Sequence, residues 1–232
     1  MQIKTKKGLN IYSKIIIIST FLMIFVGMIL FFVFECNNPK TIGNFKQSEK
    51  LLNSFFQSVT TRTAGFDSIG QNMLTDKSKL ISIILMMIGG ASGSTAGGIK
   101  ISTFVLVFLS TFKFAKNPKG FVIYGRKIKN ETVSFAYMLL VMWLTLITVT
   151  SLIVSTVENV PLGNSIYEMV SAYDTVGLTV GITAEAGIIT KLVSILLMYF
   201  GRVGVAAMTI NLISLKEHEV KIEYPEGNIL VG

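Results

Sequence analysis

The chain has 232 residues, 51% of them hydrophobic and only 15% charged, with a mean hydropathy of +0.63. A soluble globular domain carries about a quarter charged residues, so this composition excludes an ordinary soluble fold and points to segments that partition into hydrocarbon. The net charge of +8 does not imply a nucleic-acid partner, because the basic residues cluster in short loops beside apolar segments, where they set membrane orientation.

A basic leader carrying Lys4, Lys6, Lys7 and Lys14 opens the chain. Residues 15–34 follow without a charge, about the 20 residues needed to cross a bilayer core of about 30 Å. The run is longer than a signal-peptide core and no small-residue cleavage site follows it, so it predicts a spanning helix. Cys36, at its end, is the single cysteine, which excludes an intrachain disulfide framework and cannot by itself form a zinc site. Residues 51–59 are apolar but too short to span. Residues 80–99, between Lys79 and Lys100, form the second span, and apolar residues 101–112 follow it. Lys113, Lys116, Lys119, Arg126, Lys127 and Lys129 make residues 113–131 a basic linker. The third span covers residues 132–157, and residues 165–172 are again apolar and short. The fourth begins after Lys191 and runs to Leu215, broken only by Arg202. The charged tail 216–232 carries Pro225 and the one histidine, His218.

The order of span, short helix, glycine turn and span occurs twice. Asn53-Ser54-Phe55-Phe56-Gln57-Ser58-Val59-Thr60 matches Asn164-Ser165-Ile166-Tyr167-Glu168-Met169-Val170-Ser171 at a spacing of 111. After a one-residue insertion, Thr63-Ala64-Gly65-Phe66 matches Thr175-Val176-Gly177-Leu178 at a spacing of 112, which also pairs Met86 with Met198 and Gly89 with Gly201. The predicted fold is therefore an all-α integral membrane protein of two helix–pore loop–helix repeats, with four spanning helices and two re-entrant pore helices. Its parts are a first repeat (1–112), the basic linker (113–131), a second repeat (132–215) and a tail (216–232). The loop charges predict a multi-pass protein of the cell membrane with both termini and the linker in the cytoplasm. Both short helices then enter from the outside. Amphipathic connectors lying on the outer surface are the alternative, and the Thr-x-Gly at both helix ends favours pore loops.

A potassium ion that sheds water needs substitute oxygens, and rings of backbone carbonyls in Thr-Val-Gly-like segments supply them. Glycine allows the backbone to aim successive carbonyls along one axis, and the C-terminal end of a short helix favours a cation. Thr63, Ala64, Gly65 and Phe66, with Thr175, Val176, Gly177 and Leu178, meet these needs as candidate selectivity-filter residues. A lone Thr-x-Gly is a weak signal; two at equivalent places in a duplicated membrane unit are a strong one. The run Gly89-Gly90-Ala91-Ser92-Gly93-Ser94-Thr95-Ala96-Gly97-Gly98 weakens a helix. It reads as an unwound intramembrane gating loop below the filter, with close helix packing by small residues as the alternative. Arg202 takes the repeat position of Gly90. It is the expected partner of that loop, against the alternatives of a structural ion pair or snorkelling. Lys100 reads as an interfacial anchor. Arg62 and Asp174, each just before a filter threonine, either brace the filter by hydrogen bonds or are satisfied behind it. No nucleophile, acid–base or metal-ligand cluster emerges, so neither an enzyme nor a metal site is expected, beyond transported potassium at the filter.

Residues 56–66, 89–100 and 171–179, with Phe200-Gly201-Arg202, resemble the third and fourth repeats of the Ktr/Trk/HKT potassium transporter superfamily, most nearly a Ktr-type membrane subunit. The resemblance implies a pore of four repeats, one filter glycine in each (here Gly65 and Gly177), a gating loop in the third and a basic residue facing it from the fourth. It also implies a cytoplasmic ring of regulatory subunits as partner. That ring, not this chain, would bind ATP, ADP or NAD, and no covalently bound cofactor is expected. Two repeats cannot enclose a four-sided pore, so the expected partners, besides membrane lipid, are the missing N-terminal repeats or a second copy of the chain. Two other readings are a non-conducting scaffold or truncated remnant of such a transporter, and a sodium-linked transport subunit.

Overall fold

A computed structural model of the chain describes residues 11–91, 93–94, 96–114, 121–123 and 126–203. The leader, the tail with His218, and the last part of the fourth predicted span lie outside the described residues, as do Ser92 and Thr95 of the Gly-rich run. Among the described residues, two helices are long and apolar enough to cross a membrane, α1 (Ile11–Glu35) and α5 (Asn130–Glu158). At 1.5 Å per residue they extend about 37 and about 43 Å. Neither presents a polar face, and Phe21, Leu22, Phe25, Val141, Leu144 and Leu152 point outward from them, as expected of side chains that face lipid.

Each long helix is followed by a short one that packs back against it, α2 (Gln47–Thr60) after α1 and α6 (Leu162–Tyr173) after α5. Both begin earlier than their apolar runs predict. The polar first turn of α2 is held by Glu49, which accepts from the Lys46 N–H at 3.2 Å. Pro161 precedes the first turn of α6, where its fixed φ costs nothing. A 3-10 turn (Gln71–Met73) and α3 (Asp76–Met87) complete the way back in the first repeat. The second repeat uses a four-residue helix, α7 (Ile182–Glu185), and α8 (Ile188–Val203).

The second predicted span is interrupted at the Gly-rich run that the sequence reads as unwound. Helix α3 stops at Met87, and the chain resumes as α4 (Ile101–Phe114) only after the Gly-rich stretch. Among the described residues, the basic linker pairs β1 (Phe121–Ile123) antiparallel with β2 (Arg126–Ile128), an addition to the predicted all-helical fold. Helix α8 starts before Lys191 and includes it, because its first turn is capped by a residue distant in sequence.

That cap is a repeated device. Glu35, at the end of α1, is 1% exposed. Its Oε1 accepts from the N–H and hydroxyl of Thr75 at 2.9 and 2.8 Å, and its Oε2 accepts from Asn38 Nδ2 and Thr41 Oγ1 at 2.7 and 2.6 Å. Glu158, at the end of α5, accepts from the Gly187 N–H at 2.9 Å and from the Thr190 hydroxyl. Thr75 and Gly187 are equivalent at the 112-residue spacing, so in each repeat a carboxylate ending the long helix caps the N-terminus of the returning one. At the centre of the core, Tyr167, Met169 and Val170 of α6 are fully buried among residues of α3, α5 and α8.

Glu35→Ala removes four acceptor contacts from a buried position and should destabilise the folded protein by about 3 kcal/mol. Glu158→Ala removes two at a half-buried position and should cost less. Thermal midpoints of the detergent-solubilised variants give the comparison, and equal midpoints would contradict it.

Candidate functional site

Helices α2 and α6 end in the same way. After Thr60 and Tyr173 the chain tightens, with Ala64 N donating to the Thr60 carbonyl at 3.2 Å and Val176 N to the Ser171 carbonyl at 2.9 Å. The next residues turn left-handed at alternate positions: Thr63 (φ 62°) and Gly65 (φ 78°) in one loop, Thr175 (φ 54°) and Gly177 (φ 90°) in the other. Glycine enters this region freely, but a β-branched threonine does so at a cost of order 1–3 kcal/mol, so the surrounding structure must hold it there.

The two loops lie against each other. A methyl group on Gly65 would collide with the carbonyl oxygen of Val176, and one on Gly177 would lie 3.8 Å from the Cα of Gly65. Among the described residues, the carbonyls of Thr63, Ala64, Gly65, Thr175, Val176 and Gly177 accept no hydrogen bond. Such carbonyls must be met by water or by a cation. Ala64, Phe66, Gly177 and Thr179 are exposed, so the pair forms an open-sided wall rather than an enclosed conduit.

The Gly-rich stretch leaves the helical path at Ile88 and returns at Ile99. Its neck is closed by Gly89 N to the Ile99 carbonyl at 2.8 Å, Ile99 N to the Met87 carbonyl at 3.1 Å and Ile101 N to the Gly90 carbonyl at 3.1 Å. The carbonyls that a helix would have paired are taken up by cationic side chains. Arg62 donates from Nη1 to Ile88 at 2.7 Å and from Nη2 to Gly89 at 3.3 Å. Lys100 donates to the carbonyls of Ala96 at 2.5 Å and Ser94 at 3.4 Å. The anchor role expected of Lys100 is therefore corrected. Its ammonium folds back on the loop, where the carbonyls of Ser94 and Ala96 lack the partners a helix would supply.

The loop also touches the second candidate filter. Gly97 N donates to Thr175 Oγ1 at 3.0 Å. A Cβ at Gly97 would meet the Asp174 carbonyl oxygen at 2.8 Å and Thr175 Oγ1 at 2.9 Å, so only glycine fits this approach. Asp174 is buried behind the loop, with Oδ1 accepting from Trp143 Nε1 at 3.0 Å. Arg62 and Asp174 thus both act behind the loops, not along the open face. Arg202 is exposed and borders two cavities. One, of about 600 Å³, it shares with Thr175, Gly177 and Ser194; the other, of about 300 Å³, with Gly93, Ser94 and Gly98. The structure therefore brings together both Thr-x-Gly loops, the described part of the Gly-rich run and Arg202.

Sequence reasoning missed the loop contacts of Lys100 and the hydroxyl of Thr175 as an acceptor. It also passed over Gln57 and Glu168, which the repeat alignment pairs. Their polar character inside two apolar helices was the available signal.

A profile of the TrkH family, described as cation transport protein, matches residues 8–223. The Ktr system potassium uptake protein B of Vibrio alginolyticus is 36% identical over 224 residues, 97% of this chain and 49% of that protein. The potassium/sodium uptake protein NtpJ of Enterococcus hirae is 36% identical over 97% of this chain and 51% of its own length. The potassium transporter TrkH of Vibrio parahaemolyticus has a similar fold, with a TM-score of 0.69 at 19% identity over 87% of this chain and 44% of that one. The chain thus spans about half the length of these relatives. With a family match that runs through both repeats, this membrane protein belongs to the TrkH family of cation transport proteins.

Proposed function

We propose that the chain forms part of the pore of a Ktr/Trk-type potassium uptake protein, with Thr63–Phe66 and Thr175–Leu178 as two of its filter segments. The observation that carries this reading is the pair of facing loops whose alternate left-handed residues leave six carbonyls unpaired at the C-terminal ends of two short helices. Six partial negative charges at two helix ends suit a dehydrated monovalent cation and need no catalytic group. The repeats take the third and fourth places of a four-repeat pore, and a further pair of repeats, from other residues or from a second copy, closes the open side. The termini and linker lie in the cytoplasm, where a nucleotide-binding regulatory ring docks.

The Gly-rich run 89–98, with Arg202 opposite, acts as the gate below the filter. Its tie to Thr175 through Gly97 N supports a closed arrangement, because the loop then stands directly behind a filter residue. The second reading is sodium-linked transport, favoured by the similarity to a protein named for potassium and sodium uptake.

Cells lacking their own potassium importers, expressing this chain and supplied with limiting potassium, should grow and take up rubidium once the pore is complete. Gly65→Ser and Gly177→Ser should each lower the preference for potassium over sodium, because serine resists the left-handed backbone. An unchanged ratio in both variants would remove the filter assignment. Shortening residues 93–97 should raise the rate of flux, and Gly97→Ala, which pushes the loop off Thr175, should do so as well. Unchanged rates in both would favour the loop as a packing element.

A further inference from the structure

A buried polar cluster that neither the candidate filter nor the gate absorbs lies at the other end of the second Thr-x-Gly loop. Glu168 sits in the middle of α6 at 3% exposure, yet it is not paired with a cation among the described residues. Four donors from the segment just after the second filter converge on it. Its Oε1 accepts from the hydroxyl of Thr179 at 2.6 Å, from the N–H of Thr183 at 3.1 Å and from the hydroxyl of Thr183. Its Oε2 accepts from the N–H of Val180 at 3.1 Å. A carboxylate is the only protein side chain that accepts at both ends without offering a donor, and all four bonds are charge-assisted.

The first repeat does the same work with neutral groups. Gln57 is equivalent to Glu168 at the 111-residue spacing, and Gln71 to Thr183 at 112. Gln57 Nε2 donates to Gln71 Oε1 at 2.6 Å, Gln71 Nε2 donates back to Gln57 Oε1 at 3.2 Å, and both side chains are buried. Tyr167, the neighbour of Glu168, donates its hydroxyl to Gln71 Oε1 at 2.9 Å and so joins the two repeats. The charge differs because the segments differ. The first post-filter stretch folds into a 3-10 turn in which the N–H groups of Met73 and Leu74 donate to the carbonyls of Gly70 and Gln71, whereas the N–H groups of Val180 and Thr183 donate to the Glu168 carboxylate.

We propose that Glu168 is a positioning residue that clamps residues 179–183 onto α6 and thereby holds Thr175–Leu178 in the ion-selective geometry, with Gln57 and Gln71 as its neutral counterpart in the first repeat. The clamp acts through the loop backbone, not through contact with the ion. It spans the filter from the side opposite the Gly97–Thr175 tie, so the loop is pinned at both ends. The inference rests on the reading of Thr175–Leu178 as a filter segment.

The test compares the wild-type chain with Glu168→Gln, which keeps the volume but turns a donor toward the Val180 or Thr183 N–H. A Thr179→Val/Thr183→Val double variant, which removes two hydroxyls at exposed positions, leaves α6 untouched. Hydrogen exchange in the peptide carrying Val180 and Thr183 should become about tenfold faster in Glu168→Gln and intermediate in the double variant, while α6 keeps its protection. Unchanged exchange in both overturns the clamp. In rubidium uptake, the ratio of inhibition by potassium to inhibition by sodium should fall about tenfold in Glu168→Gln. Equal loss for both ions with the ratio unchanged would show a merely structural role and overturn the positioning claim. If the wild-type chain takes up no rubidium in any assembly, the transport reading is what fails, and the exchange comparison alone decides the clamp.

Discussion

Inside a bilayer, every backbone N–H and carbonyl must find a partner from the protein, and each failure costs several kcal/mol. Among the described residues of this chain, helices give way to irregular backbone after α2, after α6 and between α3 and α4. The arrangement of its buried polar side chains follows from that constraint. Arg62 takes the carbonyls released where α3 ends, and Lys100 takes two further along the Gly-rich run. Glu168 takes the amides released after the second Thr-x-Gly turn, and Gln57 with Gln71 braces the first. Six carbonyls of the two Thr-x-Gly turns accept no hydrogen bond among the described residues, and the turns lie against each other at Gly65 and Val176.

The division of labour by charge is consistent throughout. Cationic side chains serve orphaned carbonyls in the Gly-rich run, and carboxylates serve orphaned amides at helix starts and after the second Thr-x-Gly turn. Glu35 and Glu158 extend the same logic to the C-terminal ends of the long helices, where each fixes the start of the returning helix. Each repeat is thereby a closed unit of long helix, short helix and returning helix. The Tyr167–Gln71 bond and the Gly97–Thr175 bond tie one unit to the other.

The duplication does not make the two repeats interchangeable. Gly90 and Arg202 are equivalent positions, and so are Arg62 and Asp174. At both pairs the first repeat has been adapted to carry an interrupted helix and the second to pack against the interruption. Arg62 reaches two carbonyls of the broken helix end, whereas Asp174 lies under Gly97 and Gly98, turned toward Trp143. Helix α8 runs unbroken where α3 stops, so Arg202 projects from a regular helix beside the Gly-rich loop.

Local composition and period made the architecture legible before any coordinates: the long apolar runs, the two short ones, the Thr-x-Gly copies and the Gly-rich interruption are all one-dimensional signals. Hydrocarbon demands long uncharged stretches, and a pore turn demands glycine, so both leave marks on neighbouring residues. What neighbours could not reveal was where the polar side chains inside those stretches would turn. Lys100 read as an anchor because its sequence neighbours end a span, and Glu168 and Gln57 read only as members of a repeat. Their partners lie four to fifteen residues away or in another helix, and only the tertiary approach of α6 to the segment after its own turn, and of the Gly-rich loop to Thr175, decided them. A hydrogen bond is short and directional, so it is settled by three-dimensional placement, whereas partitioning into a membrane is settled by the sum over a segment.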